Sequence, residues 1–143
     1  MGTPATGDLV SADTLRIRIA GEADVTRAII ETGNAAARLE FRVDKKSRIT
    51  TAASELARNI LKYAVRGEIT VRILREPARV GVELSARDSG PGIEDVDAAL
   101  RDHVSTGGTL GLGLPGVRRL MDEFAIESTP ASGTRVTVVL WRP

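Results

Sequence analysis

An alternating run of apolar residues that ends in an aspartate and two glycines most constrains how this chain can fold. Every second residue over 80–86 is apolar, which predicts a β-strand with one buried face. Asp88 continues the alternation, so its carboxylate is expected on the buried face, where a charge needs a partner. Gly90 and Gly92, with a proline between them, predict a sharp turn directly after that carboxylate.

The rest of the chain predicts an α+β fold, a two-layer α/β sandwich with helices against a sheet. Asp24 and Asp44 are predicted to cap the first two helices. The predicted strands cover residues 15–19, 69–73, 80–86, 124–128 and 134–141, and the predicted helices cover 24–39, 45–64, 95–100 and 114–124. The second and third predicted strands, and likewise the last two, are expected to form hairpins.

The composition of the first 13 residues differs from that of the remainder. Residues 1–13 are rich in Gly, Thr, Pro, Ala and Ser, which predicts a flexible tail. We find no internal repeat and no second domain after that point. Residues 14–143 are therefore expected to form a single domain.

Charge and rare residues exclude several classes of function. A net charge of +1 over 143 residues provides no basic field for nucleic acid. The absence of cysteine excludes disulfides and thiolate chemistry, and the single histidine excludes a His-rich metal cluster. No apolar run approaches a membrane span and no signal-peptide pattern opens the chain, so we expect a cytoplasmic protein with no membrane partner.

Glu55 and Asn59 lie four positions apart in the second predicted helix and therefore share one face. A carboxylate can accept a proton from an attacking hydroxyl, whereas an amide oxygen is a ligand suited to Mg²⁺. Taken alone, the pair is more typical of a solvated polar pair, with Glu55 near Arg58.

Asp88 has the chemistry to distinguish adenine from guanine. Adenine carries an exocyclic amine that donates hydrogen bonds, where guanine carries an acceptor oxygen. A fixed carboxylate therefore favours adenine, and Gly90 and Gly92 allow the backbone to approach a flat base. The alternative is an ordinary turn after a strand, with no binding function.

A glycine-rich segment over residues 107–114 leads into the last predicted helix. Successive free N–H groups and a helix N-terminus can hold phosphates, and nearby hydroxyls can add donors. The alternative is a flexible surface loop, although leucines alternate through the glycines, unlike in a plain linker. The candidate phosphate-binding residues are Ser105, Thr106, Gly107, Gly108, Gly111, Leu112 and Gly113.

Thr134 shares the alternation of the last predicted strand, which continues with Val136 and Val138. Its hydroxyl should therefore face the same layer as Asp88. The two side chains could act jointly on a base, through a water molecule for example. A threonine that merely favours a strand after Gly133 is an equally good interpretation.

Taken together and in this order, these segments resemble the sequence boxes of the GHKL superfamily of ATPases and kinases. Residues 55–59 resemble the N box, residues 88–92 the G1 box and residues 107–114 the G2 box. Residues 105–124 and the small single domain resemble the anti-sigma-factor-type serine kinases, especially the stressosome switch kinases. The similarity covers residues 15–141.

The resemblance implies a Bergerat ATP-binding fold and a protein serine/threonine kinase. ATP would lie between sheet and helices, Mg²⁺ would bridge Asn59 and the phosphates, and Glu55 would be the catalytic base. Residues 94–108 would form a lid. Thr109 stands where switch kinases usually have another glycine, so the loop would pivot at Gly107 and Gly108.

The resemblance also implies partners. The substrates would be STAS-domain proteins, and phosphorylation would free the kinase to activate a PP2C-type phosphatase. One alternative is an anti-sigma factor that sequesters a sigma factor and phosphorylates its antagonist. Another is a histidine-kinase catalytic domain, although His103 lies in the expected lid and not in a dimerising helix. Arg118 and Arg119 could contact phosphate, dock a partner or form a solvated helix face.

Overall fold

A computed structural model of the protein describes residues 7–90, 99–100 and 113–143. Within these ranges the chain forms three β-hairpins. Two helices follow the first hairpin, and one helix follows the second. The elements are β1 (Gly7–Ser11), β2 (Thr14–Ile19), α1 (Glu22–Arg38), α2 (Val43–Tyr63), β3 (Gly67–Arg75), β4 (Val80–Asp88), α3 (Gly113–Leu120), β5 (Glu123–Thr129) and β6 (Gly133–Trp141).

The described strands form a six-stranded antiparallel sheet in the order β1-β2-β3-β4-β6-β5. The period-two alternation places the buried apolar residues of each central strand on one face, and α1 and α2 pack against that face. Leu56 and Ile60 of α2 are almost fully buried, as are Leu84 and Val138 of the sheet. The predicted two-layer α+β architecture and both predicted hairpins are confirmed.

Asp24 and Asp44 do not occupy the predicted cap positions. The first helix is preceded by Gly21, and Asp24 lies three residues later. Its Oδ2 accepts hydrogen bonds from the N–H groups of Ala20 (2.8 Å) and Gly21 (3.1 Å). Asp44 lies in the first turn of α2 and makes no side-chain cap. Both residues still place a negative charge at a helix N-terminus, which is favourable there. The sequence therefore located the start of each helix, but the predicted cap residues lie inside the first turn.

The last helix is shorter than predicted, because strand pairing begins before the helical pattern ends. α3 stops at Leu120, and the Asp122 N–H donates to Val139 O (2.9 Å). The carboxylate of Asp122 also accepts from the Trp141 N–H (2.8 Å). These bonds commit the chain to the sheet, so Phe124 lies in β5 and not in the helix.

Residues 7–11 form an edge strand where the sequence predicts a flexible tail; residues 1–6 lie outside the described part. β1 pairs with β2 through backbone hydrogen bonds, which composition does not reveal. Asp13, in the turn between them, accepts from Ile73 N through its carbonyl and from Arg75 Nε through its carboxylate. The hydrogen bond from Arg75 lowers the pKa of Asp13 below its ordinary value. The β1–β2 turn is therefore tied to β3.

Thr32 of α1 is fully buried, and its hydroxyl has no hydrogen-bond partner among the described residues. We expect Thr32→Val to raise the free energy of unfolding by about 1–2 kcal/mol, because valine keeps the shape and removes an unpaired polar atom. Urea denaturation measures the change. Thr50→Val is the matched control, since the Thr50 hydroxyl donates to Lys46 O (2.9 Å) and should give no gain. A less stable Thr32→Val variant would contradict the prediction.

Candidate functional site

Asp88 ends β4 on the face of the sheet that carries the helices. Its Cα lies opposite Gly67 of β3 on one side and Thr134 of β6 on the other. The side chain is half-buried, and its Oδ1 accepts a hydrogen bond from the Gly90 N–H (2.9 Å). That bond fixes the carboxylate at the start of the turn and leaves Oδ2 for another donor.

The turn after β4 packs against the C-terminal end of α2. A Cβ added to Gly90 would lie 2.8 Å from the Cβ of Ala64, which follows the last residue of α2. A Cβ added to Gly67 would lie 2.4 Å from Arg87 O and 3.1 Å from Asp88 Cβ. Glycine at both positions therefore allows the backbone around Asp88 to pack closely against α2 and β3.

Gly133 holds the other side of the Asp88 backbone. It adopts a φ of +83°, and a Cβ added there would lie 2.1 Å from Asp88 O. Both the positive φ and the contact require glycine. This residue joins the β5–β6 turn to the end of β4 and sets the position of Thr134.

We expect Gly133→Ala to lower the free energy of unfolding by about 2–4 kcal/mol, because strained backbone and a steric overlap coincide. ATP affinity should fall as well, since the Asp88 backbone must move. Urea denaturation and nucleotide titration measure the two effects. Gly33→Ala inside α1 is the control, because its Cβ would meet only ordinary contacts with the side chains of Lys46 (3.4 Å) and Thr50 (3.5 Å) of α2. Alanine also favours a helix by up to about 1 kcal/mol over glycine. Equal stability of the two variants would contradict the prediction.

Glu55 and Asn59 project from one half-buried face of α2, as their spacing predicts. The N–H of Gly113 donates to Glu55 Oε2 at 3.4 Å, which places this carboxylate at the N-terminus of α3. Arg58 pairs with Glu22 at 3.1 Å and not with Glu55. Within the described residues the side chain of Asn59 makes no hydrogen bond, so its amide oxygen is available to a ligand.

α3 begins at Gly113, whose φ is +64°, and it is anchored at both ends. Leu114 and Val117 join the hydrophobic core, and Pro115 lies in the first turn as predicted. Arg48 of α2 donates to Leu120 O at 3.0 Å. The N-terminus of α3 is thereby held beside Glu55.

Most of the predicted phosphate-binding segment lies outside the described residues. This applies to the candidate lid except residues 99–100, to residues 95–98 of the helix predicted over 95–100, to Thr109, and to the second glycine of the turn after β4. His103 is among the lid residues that are not described. The site residues concerned are Gly92, Ser105, Thr106, Gly107, Gly108, Gly111 and Leu112. The structure thus describes Glu55, Asn59, Asp88, Gly90, Gly113 and Thr134 of the predicted set.

Thr134 faces the helix layer next to Asp88, as the alternation predicts, and it has a neighbour that the sequence analysis missed. Ser128 of β5 is the Cα partner of Thr134, and their hydroxyl oxygens are 2.7 Å apart. Ser128 follows Phe124 and Ile126 at every second position, which is the signal that could have placed it on this face.

Two absences among the described residues bear on the class of site. None of the helices found there is long and apolar enough to cross a membrane. The same ranges contain no group of three or more His, Cys, Asp or Glu side chains arranged to hold a metal ion.

Comparison with known families identifies the fold. The sequence profile of the histidine kinase-like ATPase domain matches residues 20–140. This chain belongs to the histidine kinase-like ATPase domain family. The match includes the three segments that resemble the N, G1 and G2 boxes, and it runs from the end of β2 to the end of β6. Use of ATP by the domain follows from this membership.

Relatives of the domain include a serine/threonine kinase and anti-sigma factors. Over 125 residues it is 43% identical to the serine/threonine-protein kinase RsbT of Bacillus subtilis (strain 168), a match that covers 87% of this chain and 94% of RsbT. Over 107 residues it is 34% identical to the anti-sigma F factor of Caldanaerobacter subterraneus subsp. tengcongensis, covering 71% and 73% of the two chains. The predicted enzyme class, an ATP-dependent protein serine/threonine kinase, is confirmed by this relationship.

Solved structures agree with the fold. The RsbU and RsbW domains of Rv1364c from Mycobacterium tuberculosis superimpose with a TM-score of 0.61 at 17% identity, over 95% of this chain and 34% of that one. A chain of the SiaB–SiaC complex from Pseudomonas aeruginosa gives a TM-score of 0.53 at 13% identity, over 88% of each chain. At these identities the likeness concerns the fold alone.

Proposed function

We propose that this kinase-like ATPase domain transfers the γ-phosphate of Mg-ATP to a serine or threonine of a STAS-domain protein. The transfer would belong to a partner switch of the stressosome type, and the freed kinase would then activate a PP2C-type phosphatase. The proposed setting is the cytoplasm, where ATP is available. The 43% identity to RsbT supports the kinase branch over other ATPases of the family.

The arrangement of side chains along α2 carries this proposal. The C-terminal end of α2 contacts Gly90, beside Asp88, whereas Glu55 contacts the N-terminus of α3. These two points are separated by nine residues of helix, or about 13 Å at 1.5 Å per residue. An extended nucleoside triphosphate spans a comparable length. Its base would lie at Asp88 and its terminal phosphate near Glu55.

The Asp88 end has the chemistry to bind adenine. The carboxylate accepts a hydrogen bond from the exocyclic amine of the base. The hydroxyl of Thr134, opposite Asp88, would donate a hydrogen bond to the base beside that amine, directly or through a water molecule. Guanine would present an acceptor to the carboxylate and leave both groups unpaired. The glycines at positions 90 and 92 keep Cβ atoms away from the base.

The Glu55 end has the chemistry for phosphoryl transfer. Asn59 would provide one protein ligand to Mg²⁺, which usually binds through one or two protein groups together with phosphates and water. Bound Mg²⁺ neutralises phosphate charge. The N-terminus of α3, which lies beside Glu55, favours binding of the phosphates. Glu55 accepts the proton of the attacking hydroxyl.

A phosphotransfer assay tests the proposal. The purified protein is mixed with Mg-ATP and a STAS-domain protein from the same genome, and intact mass is followed. One added phosphate on the STAS protein, absent with GTP or with EDTA, is the expected result. No transfer to any STAS-domain protein, while ATP still binds, would overturn the kinase–STAS assignment.

An anti-sigma factor is the second candidate, because the anti-sigma F factor noted above shares 34% identity over 71% of this chain. In that case the main function would be to sequester a sigma factor, and phosphorylation of an antagonist would release it. A pull-down with the purified protein separates the two candidates. Recovery of a sigma factor without any STAS scaffold would favour this second function.

A further inference from the structure

Three polar side chains form a row across the sheet at the end where β4 stops. Asp88 of β4 lies opposite Thr134 of β6, and Thr134 lies opposite Ser128 of β5. Residues directly opposite on antiparallel strands point to the same face, so all three side chains face the helix layer. All three are half-buried. Ser128 is the member of this row to which the proposed function assigns no role.

The Ser128 and Thr134 hydroxyl oxygens are 2.7 Å apart, so one hydroxyl donates to the other. Each hydroxyl has a single proton, and the direction of this bond decides what Thr134 can offer to a ligand. If Ser128 donates, the Thr134 proton is free to point toward the base. If Thr134 donates, it can only accept from the base.

The carboxylate of Asp88 favours the first arrangement. Asp88 lies directly opposite Thr134 on the neighbouring strand. A negative charge in that position favours the orientation of the Thr134 hydroxyl in which its proton points toward Asp88 and away from Ser128. Ser128 must then be the donor. The acceptor at Asp88 and the donor at Thr134 match the donor–acceptor order of the adenine edge, in which the exocyclic amine lies next to the ring acceptor N1.

We propose that Ser128 is a positioning residue for base recognition: by donating to Thr134 Oγ1, it holds the Thr134 hydroxyl as a hydrogen-bond donor toward adenine N1. The inference rests on the proposed function, because it requires a nucleotide with its base at Asp88. Guanine carries a proton on N1 and an acceptor next to it, so the fixed donor at Thr134 excludes guanine independently of Asp88. Ser128 therefore contributes to specificity without contacting the nucleotide.

The test uses two variants of equal shape and two nucleotides that differ at one atom. Ser128→Thr keeps the hydroxyl and Ser128→Val removes it, and both residues are suited to a strand. The nucleotides are ATP and 1-deaza-ATP, in which N1 is replaced by C–H and can no longer accept. Dissociation constants are measured by titration, and kcat and KM for ATP are measured with the protein substrate.

We expect the wild type and Ser128→Thr to bind ATP about 5- to 20-fold more tightly than 1-deaza-ATP. This is the ratio of affinities that one neutral hydrogen bond contributes. In Ser128→Val this ratio should fall to about 1–3. The KM for ATP should rise while kcat at saturating ATP stays unchanged, because the hydrogen bond acts equally on bound substrate and transition state. Ser132→Ala is the control, since its hydroxyl pairs with Thr129 in the exposed turn, and its ratio should match the wild type.

An unchanged ratio in Ser128→Val would overturn the inference, even if both nucleotides bound more weakly, because a purely structural role affects them equally. A wild type that binds ATP and 1-deaza-ATP equally well would also overturn it, yet leave the kinase assignment intact. A wild type that binds neither nucleotide would overturn the proposed function, and the inference with it.

Discussion

Glu55→Gln is expected to reduce phosphotransfer by about 10²- to 10⁴-fold while ATP affinity stays close to that of the wild type. The amide cannot accept the proton of the attacking hydroxyl, so the substrate oxygen stays a weak nucleophile. The substitution preserves shape, and the amide oxygen can still accept the hydrogen bond from the Gly113 N–H. The change should therefore appear in the rate of the chemical step. Single-turnover transfer to the STAS substrate at saturating Mg-ATP measures that rate.

Glu22→Gln is the matched control for Glu55→Gln. Glu22 is also a helical glutamate in contact with α2, where it pairs with Arg58 at 3.1 Å, but it is exposed and lies outside the proposed site. Loss of this exposed pair should cost less than about 1 kcal/mol of stability and leave transfer unchanged. A normal transfer rate in Glu55→Gln would exclude Glu55 as the base. Equal loss in both variants would indicate a general structural effect.

Asp88→Asn is expected to weaken ATP binding by about 10- to 100-fold, with the affinity for GTP weakened less or not at all. The asparagine oxygen can keep the hydrogen bond from the Gly90 N–H, which is 2.9 Å long in the structure. Its amide nitrogen then takes the place of Oδ2. A donor would therefore meet the donor amine of adenine, whereas guanine would present an acceptor there. Isothermal titration with both nucleotides gives the ratio of affinities.

Asp44→Asn provides the control for Asp88→Asn. Asp44 lies in the first turn of α2, with an exposed side chain 3.8 Å from Arg42 Nε. Its substitution should leave the ratio of ATP to GTP affinities unchanged. The same ratio in Asp88→Asn and the wild type would show that Asp88 does not select the base. Thermal unfolding of each variant excludes loss of folded protein as the cause.

Local patterns predicted the elements and the orientation of several site residues. The alternation over β4 placed Asp88 on the helix-facing side, and the same period placed Thr134 there. The spacing of Glu55 and Asn59 placed both on one face of α2. These predictions succeeded because strand and helix periods are properties of the backbone over a few residues.

Predictions of element ends were weaker, because they depend on hydrogen bonds to distant segments. The helical pattern continued past Leu120, but pairing of Asp122 with Val139 ended α3. A polar, glycine-containing segment at residues 7–11 carried no clear strand pattern, yet its backbone pairs with β2. Asp24 was assigned to the cap position, because the sequence does not show that its carboxylate accepts a hydrogen bond from the N–H of Gly21, three residues earlier.

The sequence by itself determined which residues could serve an ATP-dependent protein kinase. They are a carboxylate and an amide one helical turn apart, a carboxylate before a glycine turn, and a glycine-rich segment before a helix. Only the tertiary structure decided their neighbours. The strand order β4-β6-β5 inserts Thr134 between Asp88 and Ser128, and the contact of Gly133 with Asp88 O fixes that position. Strand order and register arise from hydrogen bonds between segments far apart in the chain, and those bonds use backbone groups that every residue has.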